Sequence, residues 1–384
     1  MSDLVVRGGS ALTPDGRVDA DVVIEAGRIS SLSSGDAASG VRVLDAAGLL
    51  VVPGFIDLQC NGALGIDLTA EPERLWETAA KLPRWGVTAW LPTIVTSPAD
   101  VRDRALKTLA APSGTVGATP LGLHFEGPFL NPERRGAHAP AHLRLPDQAA
   151  IAGWSRDAGV ALVTLAPELP GALDMVRALV DRDVVVSLGH SAATSAEALA
   201  GVAAGARSVT HLFNAMSPLH HREPGLAGVA LTDDRLSVGV IADGFHVDPR
   251  MVDLAVRALG DRVVLVTDAV AALGVPPGEV RLGDVSSVFD GESVRLADGT
   301  LAGSVLPLDQ AVRNLRTFTG GRAELDQAVR AVTAAPARLL GLEDERGALV
   351  PGAVGDLVLL DPDAEVVATV IGGMVVHDRR AGQE

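Results

Sequence analysis

An α/β fold is predicted for this chain: a (β/α)8 TIM-like barrel with a small β-sandwich built from both chain ends. Three observations carry that expectation. Through the middle of the 384 residues, eight continuously apolar runs alternate with stretches of helical periodicity. Both ends carry short β-branched runs broken by glycine. Four of the central runs end on an acid or a histidine, Glu126, His190, His211 and Asp268, and in a barrel the chemistry collects at the C-terminal ends of the strands.

At the N-terminal end the runs are LVVRGG, ADVVIEAGRIS and VRVLDAAG. The C-terminus returns to the same texture in GDLVLLDP, VVATVIGG and MVVHD, so residues 1–52 and 345–384 are read as one discontinuous β-sandwich domain. Residues 53–344 are read as the barrel, with strands at 53–59, 87–95, 120–126, 160–168, 184–190, 208–214, 236–243 and 263–269. These runs are apolar throughout rather than alternating, as expected of strands covered on both faces. Between them lie helix-like stretches such as PERLWETAAKLPRWG, SPADVRDRALKTLA, GALDMVRALVDR, TSAEALAGVAAG and DPRMVDLAVRALG. Several open on a capping residue or a proline. Two further helices are expected in PLDQAVRNLRTF and ELDQAVRAVTAAPARLLGL before the chain re-enters the sandwich.

Composition narrows the function. A hydrophobic fraction of 47% with 21% charged residues describes a soluble globular protein. Thirty-two basic residues against 48 acidic ones leave a net charge of −16. No basic run with interleaved aromatics is present, which argues against nucleic acid. An anionic substrate would need a local positive pocket to overcome the overall field. The start of the chain has no signal-like segment, no apolar stretch reaches membrane-spanning length, and the single cysteine, Cys60, excludes an intramolecular disulfide. A cytoplasmic enzyme with no membrane partner is the expectation.

The residues at the run ends point to hydrolysis. One carboxylate and two imidazoles form a set that holds a catalytic metal with a position left for water. A further carboxylate beside such a centre moves protons. Any one of nine histidines could be a core or surface residue; the argument rests on Glu126, His190, His211 and Asp268 occupying the same place in successive β-units. A non-catalytic binding protein would be expected to lack part of this set.

The motifs PGFIDLQCNG, HFEGPFLN, GHSAAT, THLFNAMSPLHHREPG, IADGFHVDP, TDAV and LAGS, in this order from residue 53 to residue 304, resemble those of the N-acetylglucosamine-6-phosphate deacetylase family of the amidohydrolase superfamily. The resemblance implies a barrel with a flanking β-sandwich, metal ligands at Glu126, His190 and His211, and a catalytic acid/base at Asp268. It implies one divalent metal ion per subunit, zinc before iron, manganese or cobalt, since such a site accepts several. Many amidohydrolases carry HxH after the first strand. Here Gln59 and Asn61 stand there, poor ligands that favour a single metal and count against a cyclic-amide hydrolase or nucleobase deaminase. His124 is read as a core residue rather than a second-site ligand, Cys60 as buried, and Asp57 as a hydrogen-bonding acid near the first strand end.

For substrate, the resemblance implies a phosphorylated amino sugar held by Ala137, Asn214, Ala215, Arg222, His246 and the segment Leu301, Ala302 and Gly303. His138 is a candidate for stabilising charge on the carbonyl oxygen. Arg222 and His246 offer donors suited to phosphate, and the arginine is expected to reach across the interface of a homodimer. The implied reaction is removal of acetate from N-acetylglucosamine 6-phosphate. The galactosamine epimer or another N-acyl amino sugar phosphate is the alternative, because no motif reports one hydroxyl's orientation. Gly127, Gly189 and Gly244 are expected at sharp turns or close backbone approaches.

Overall fold

The computed structural model describes residues 3–33, 41–111 and 113–382. Eight parallel strands form the barrel: Phe55–Cys60, Val87–Val95, Leu123–Glu126, Val160–Leu165, Val185–Leu188, Ser208–Val209, Ser237–Val240 and Val263–Leu265. The last meets the first just past the regular strand ends. Asp268 N–H donates to the Gln59 carbonyl at 2.8 Å and Asn61 N–H to the Ala269 carbonyl at 2.7 Å. The barrel therefore closes through the residues that carry candidate chemistry. Buried apolar side chains pack on these strands, Phe55, Phe125, Leu162, Val186 and Val264 among them, while His124, Thr164, Ser187 and Thr210 bond to one another within the barrel.

The strands are shorter than their apolar runs. The run at 208–214 pairs only over Ser208–Val209, and that at 263–269 only over Val263–Leu265. Beyond these points the chain leaves the ladder to form the loops that hold His211 and Asp268. The helices follow the sequence reading at Leu75–Lys81, Ala99–Ala110, Ala172–Val180, Ser195–Ala203, Pro249–Leu259 and Leu308–Phe318. Thr194 and Glu197 close a reciprocal capping box at the start of Ser195–Ala203.

Three elements depart from the sequence reading. The stretch 324–342 is not one helix but two, Leu325–Arg330 and Ala334–Leu339. Pro336 has no N–H to offer Val332 four residues earlier, and the freed Val332 carbonyl accepts from Ile56 N–H at 2.7 Å. The neighbouring Ala331 carbonyl accepts from Leu265 N–H at 3.0 Å, so the helix break plugs the bottom of the barrel. A helix at Gly225–Thr232 went unread. So did a three-stranded antiparallel sheet, Gly278–Leu282, Val285–Phe289 and Val294–Arg295, whose Leu282, Phe289 and Val294 pack with Val95, Ala137 and Ala302 beside the barrel mouth.

Both chain ends build the sandwich. A four-stranded sheet takes Arg28–Ser33, Asp21–Glu25, Leu4–Arg7 and Arg42–Asp45. A six-stranded sheet takes Met374–Asp378, Val366–Ile371, Leu357–Leu360, Leu50–Pro53, Ser10–Thr13 and Gly16–Asp19. Strand alternation joins this layer to the barrel. Leu357 and Leu359 face the sandwich core with Leu4, Ile24 and Val51, while Val358 and Leu360 face the barrel core. Among the described residues, no helix is long and apolar enough to cross a membrane.

Candidate active site

At the C-terminal mouth of the barrel, Glu126, His190 and His211 converge from the third, fifth and sixth strands and are buried. Glu126 Oε1 lies 3.1 Å from His190 Nε2 and 3.0 Å from His211 Nε2, and the two imidazole nitrogens are 3.1 Å apart. Donors about 2.0–2.1 Å from one tetrahedral ion sit about 3.3 Å apart, so this near-equilateral triangle fits a bound metal. His190 Nδ1 sits 2.9 Å from the Arg134 carbonyl, which can only accept, so His190 carries its proton there and presents an Nε2 lone pair. Lone pairs converging this closely repel one another unless a cation lies among them. The electrostatics agree. Burial alone would push the Glu126 carboxyl up, but the adjoining His190 and His211 imidazoles outweigh it and hold the group well below 4.5.

Asp268 faces the same space. Its Oδ1 accepts from Asn61 Nδ2 at 2.7 Å and from Gln59 Nε2 at 3.1 Å, while Gln59 Nε2 also reaches Glu126 Oε1 at 3.0 Å. Gln59 and Asn61 thus point the same way, as alternation requires, and spend their donors on carboxylates. Burial, reinforced by the charge of Glu126, raises the Asp268 carboxyl to about 6. Asp57 lies further down the first strand. It accepts from Thr267 Oγ1 at 2.6 Å and is pushed up to about 7 by burial. Gly303 packs against this segment with φ +67, and a Cβ there would sit 2.9 Å from the Asp268 carbonyl oxygen and 2.3 Å from Val270. His190, His211 and Asp268 all take left-handed backbone angles, with φ of 49, 28 and 47.

His138 is buried, with Nε2 3.7 Å from Glu126 Oε2. Thr96 N–H donates to its Nδ1 at 3.3 Å. Thr96 Oγ1 lies 2.9 Å from the same nitrogen, which leaves Nε2 facing the carboxylate and the cavity. Burial and the neighbouring His190 drop the His138 pKa to about 3, so the ring is a neutral donor. Among the described residues, Glu126, His138 and His190 also form a compact group able to hold a metal. We favour His211 over His138 as the third ligand, because His211 Nε2 is 3.0 Å from the carboxylate against 3.7 Å for His138.

These groups line one cavity of about 500 Å³, together with Asn61, Ala137, Asn214, Ala215, His246, Leu301 and Gly303. Two expected residues do not line it. Ala302 turns its methyl into the small apolar cluster beside the mouth, and Arg222 is exposed on a loop outside the cavity of its own chain. Three residues of the loop after Glu126 were missed, Glu133, Arg134 and Arg135; the tandem arginine beside the matched motif was the available signal. His124 lies a layer below, bonded to Thr164 Oγ1 at 2.8 Å, a core residue as read. Cys60 is buried. Gly127 and Gly244 take positive φ, and a Cβ on Gly189 would meet Thr210 at 2.8 Å.

The model of the amidohydrolase family matches residues 50–376. Human N-acetylglucosamine-6-phosphate deacetylase is 40% identical over 398 residues, covering 100% of this chain and 93% of that protein. An N-acetylgalactosamine-6-phosphate deacetylase from Escherichia coli O157:H7 is 38% identical over 341 residues, covering 87% of this chain and 90% of that protein. Among solved structures, a mutant N-acetyl-D-glucosamine-6-phosphate deacetylase from Mycobacterium smegmatis, in complex with N-acetyl-D-glucosamine-6-phosphate, superposes with a TM-score of 0.89 at 33% identity. That similarity covers 98% of this chain and 100% of that one.

Proposed function

The chain belongs to the amidohydrolase family, and from that premise we infer that it removes the acetyl group of N-acetyl-D-glucosamine 6-phosphate, giving D-glucosamine 6-phosphate and acetate. The observation that carries the reading is the Glu126, His190 and His211 triangle with Asp268 beside it in one cavity. Glu126, His190 and His211 would hold one divalent ion, zinc first, which when bound polarises the acetamide carbonyl and acidifies water. Gln59 and Asn61 leave no second ligand pair.

The chain's own residues do the rest. Asn61 and Gln59 fix Asp268 through Oδ1, leaving Oδ2 as the proton acceptor. Asp268 takes a proton from the attacking water as the C–O bond forms. It then returns that proton to the nitrogen as the C–N bond breaks, because an unprotonated amine is a poor leaving group. His138 Nε2–H donates to the carbonyl oxygen as charge develops there. Asn214, Ala215, Leu301 and Gly303 contact the sugar, and His246, held by Asp243 at 2.6 Å, faces the phosphate. Arg222, outside its own cavity, serves the neighbouring subunit of a homodimer, in the cytoplasm.

An acetate-release assay on the 6-phosphates of N-acetylglucosamine and N-acetylgalactosamine, and on unphosphorylated N-acetylglucosamine, tests the reading alongside metal analysis. The glucosamine phosphate should be the best substrate, with about one metal per chain. Equal turnover of the unphosphorylated sugar would reduce the function to amide hydrolysis of unknown substrate, and faster turnover of the galactosamine epimer would reassign it.

A further inference from the structure

The cavity contains a cation with no partner. Two arginines line it, Arg134 and Arg135. Arg135 is committed, its Nη1 donating to the carbonyls of Gly136 and His138 at 3.2 Å each. Arg134 is not. Among the described residues its guanidinium has no hydrogen-bond acceptor and no acidic partner, and its Nε is buried without one. Buried donors are almost always satisfied, so an open one at a cavity wall marks a place where an acceptor binds. Its backbone, by contrast, is fixed at both ends of the short Pro132–Arg134 turn. Asn131 N–H donates to the His190 carbonyl at 3.0 Å, and the Arg134 carbonyl receives His190 Nδ1 at 2.9 Å.

The charge inventory says what the acceptor is. Glu126 and Asp268 line the same cavity, so a divalent cation there is neutralised by the protein's own carboxylates. A dianionic ligand then needs further positive charge, in a chain of net charge −16. Arg222 cannot supply it within one chain, and His246 is paired with Asp243. The geometry points to Arg134 as a phosphate-binding residue supplied by the same chain, its planar fork engaging two phosphoryl oxygens. The assignment rests on the proposed substrate. Because the Arg134 carbonyl orients His190, the anion's anchor and one metal-site imidazole share a single turn.

Arg134→Met, which keeps the apolar stem, and Arg134→Lys, which keeps the charge but loses the fork, test this in the metal-loaded enzyme. The readout is the ratio of kcat/KM for N-acetylglucosamine 6-phosphate to that for N-acetylglucosamine, with metal content measured in each variant. The methionine variant should lower that ratio about 10- to 150-fold, as expected for losing hydrogen bonds to a charged group, chiefly through KM. The lysine variant should fall between, and metal should stay at the wild-type level. An unchanged ratio in Arg134→Met, or equal losses on both sugars, overturns the assignment while the function stands. A wild-type enzyme without preference for the phosphorylated sugar overturns both.

Discussion

Replacing Asp268 by Asn removes a charge and almost no volume. The structure says why the variant should keep its shape. Asn61 and Gln59 donate to Oδ1 at 2.7 and 3.1 Å, and an Asn carbonyl oxygen accepts the same two bonds, leaving the amide nitrogen where the reactive oxygen stood. Substrate and metal should therefore bind while proton transfer fails. General acid/base assistance is worth ~10²–10⁴-fold, or about 3–5 kcal/mol in the barrier. Because one carboxylate serves both transfers, the fall in kcat should reach at least that range. The pH profile gives a second readout. The Asp268 carboxyl is raised to about 6 by burial and the Glu126 charge, and a nearby metal ion opposes both effects. Wild-type kcat/KM should therefore rise with pH through a step at or below about 6 as the base ionises, and Asp268→Asn should lack that step. Acetate release from pH 4.5 to 9, with metal content and KM measured in parallel, reads all of this. More than about a tenth of wild-type turnover in the variant, or an unchanged acid limb, would refute the proton-shuttle role.

His190→Ala or His211→Ala should strip most bound metal and nearly all activity while circular dichroism still reports a folded barrel; a variant that keeps full metal would remove that residue from the ligand set. Arg222→Ala should lower kcat/KM for the phosphorylated sugar by about 10- to 150-fold, and the wild-type value itself should drop on dilution below the dissociation constant of the proposed dimer; indifference to both would make Arg222 a surface residue. Asp57, raised from 3.8 to about 7 by burial, binds its proton more tightly in the folded protein. Its contribution is thus fully present below pH 3.8 and lost as pH rises through about 7. Asp57→Asn has nothing to ionise, so its stability relative to wild type should improve between pH 4 and pH 8 by up to about 4 kcal/mol. Denaturation midpoints whose gap does not widen with pH would contradict this.

The barrel and the convergence of Glu126, His190 and His211 at its mouth were legible because each strand is an apolar run ending on a chemically distinctive residue. Strand lengths were not, since hydropathy continues through Thr210 and Val266 after the ladder has ended. The helix break before Pro336 depends on Ile56 and Leu265, far away in sequence, claiming the Val332 and Ala331 carbonyls. The sheet around Gly278–Leu282 is short and half polar, and its apolar residues become meaningful only against Val95 and Ala137. Arg222 carried a motif signal, yet one chain leaves it in solvent. Arg134 carried only the tandem arginine beside a matched motif, and its lack of a partner is a property of surroundings rather than of spelling.

The left-handed angles at His190, His211 and Asp268 set folding yield against activity. Each such non-glycine conformation stores on the order of 1–3 kcal/mol, a large share when whole domains are stable by only about 5–15 kcal/mol. Glycine would release that strain at all three positions at once. A mutant library sorted only for heat resistance or soluble expression should therefore drift towards glycine at residues 190, 211 and 268, and grow hardier as it goes inert. Robust variants of this enzyme must be sought elsewhere in the chain, with catalysis retained as an explicit second criterion.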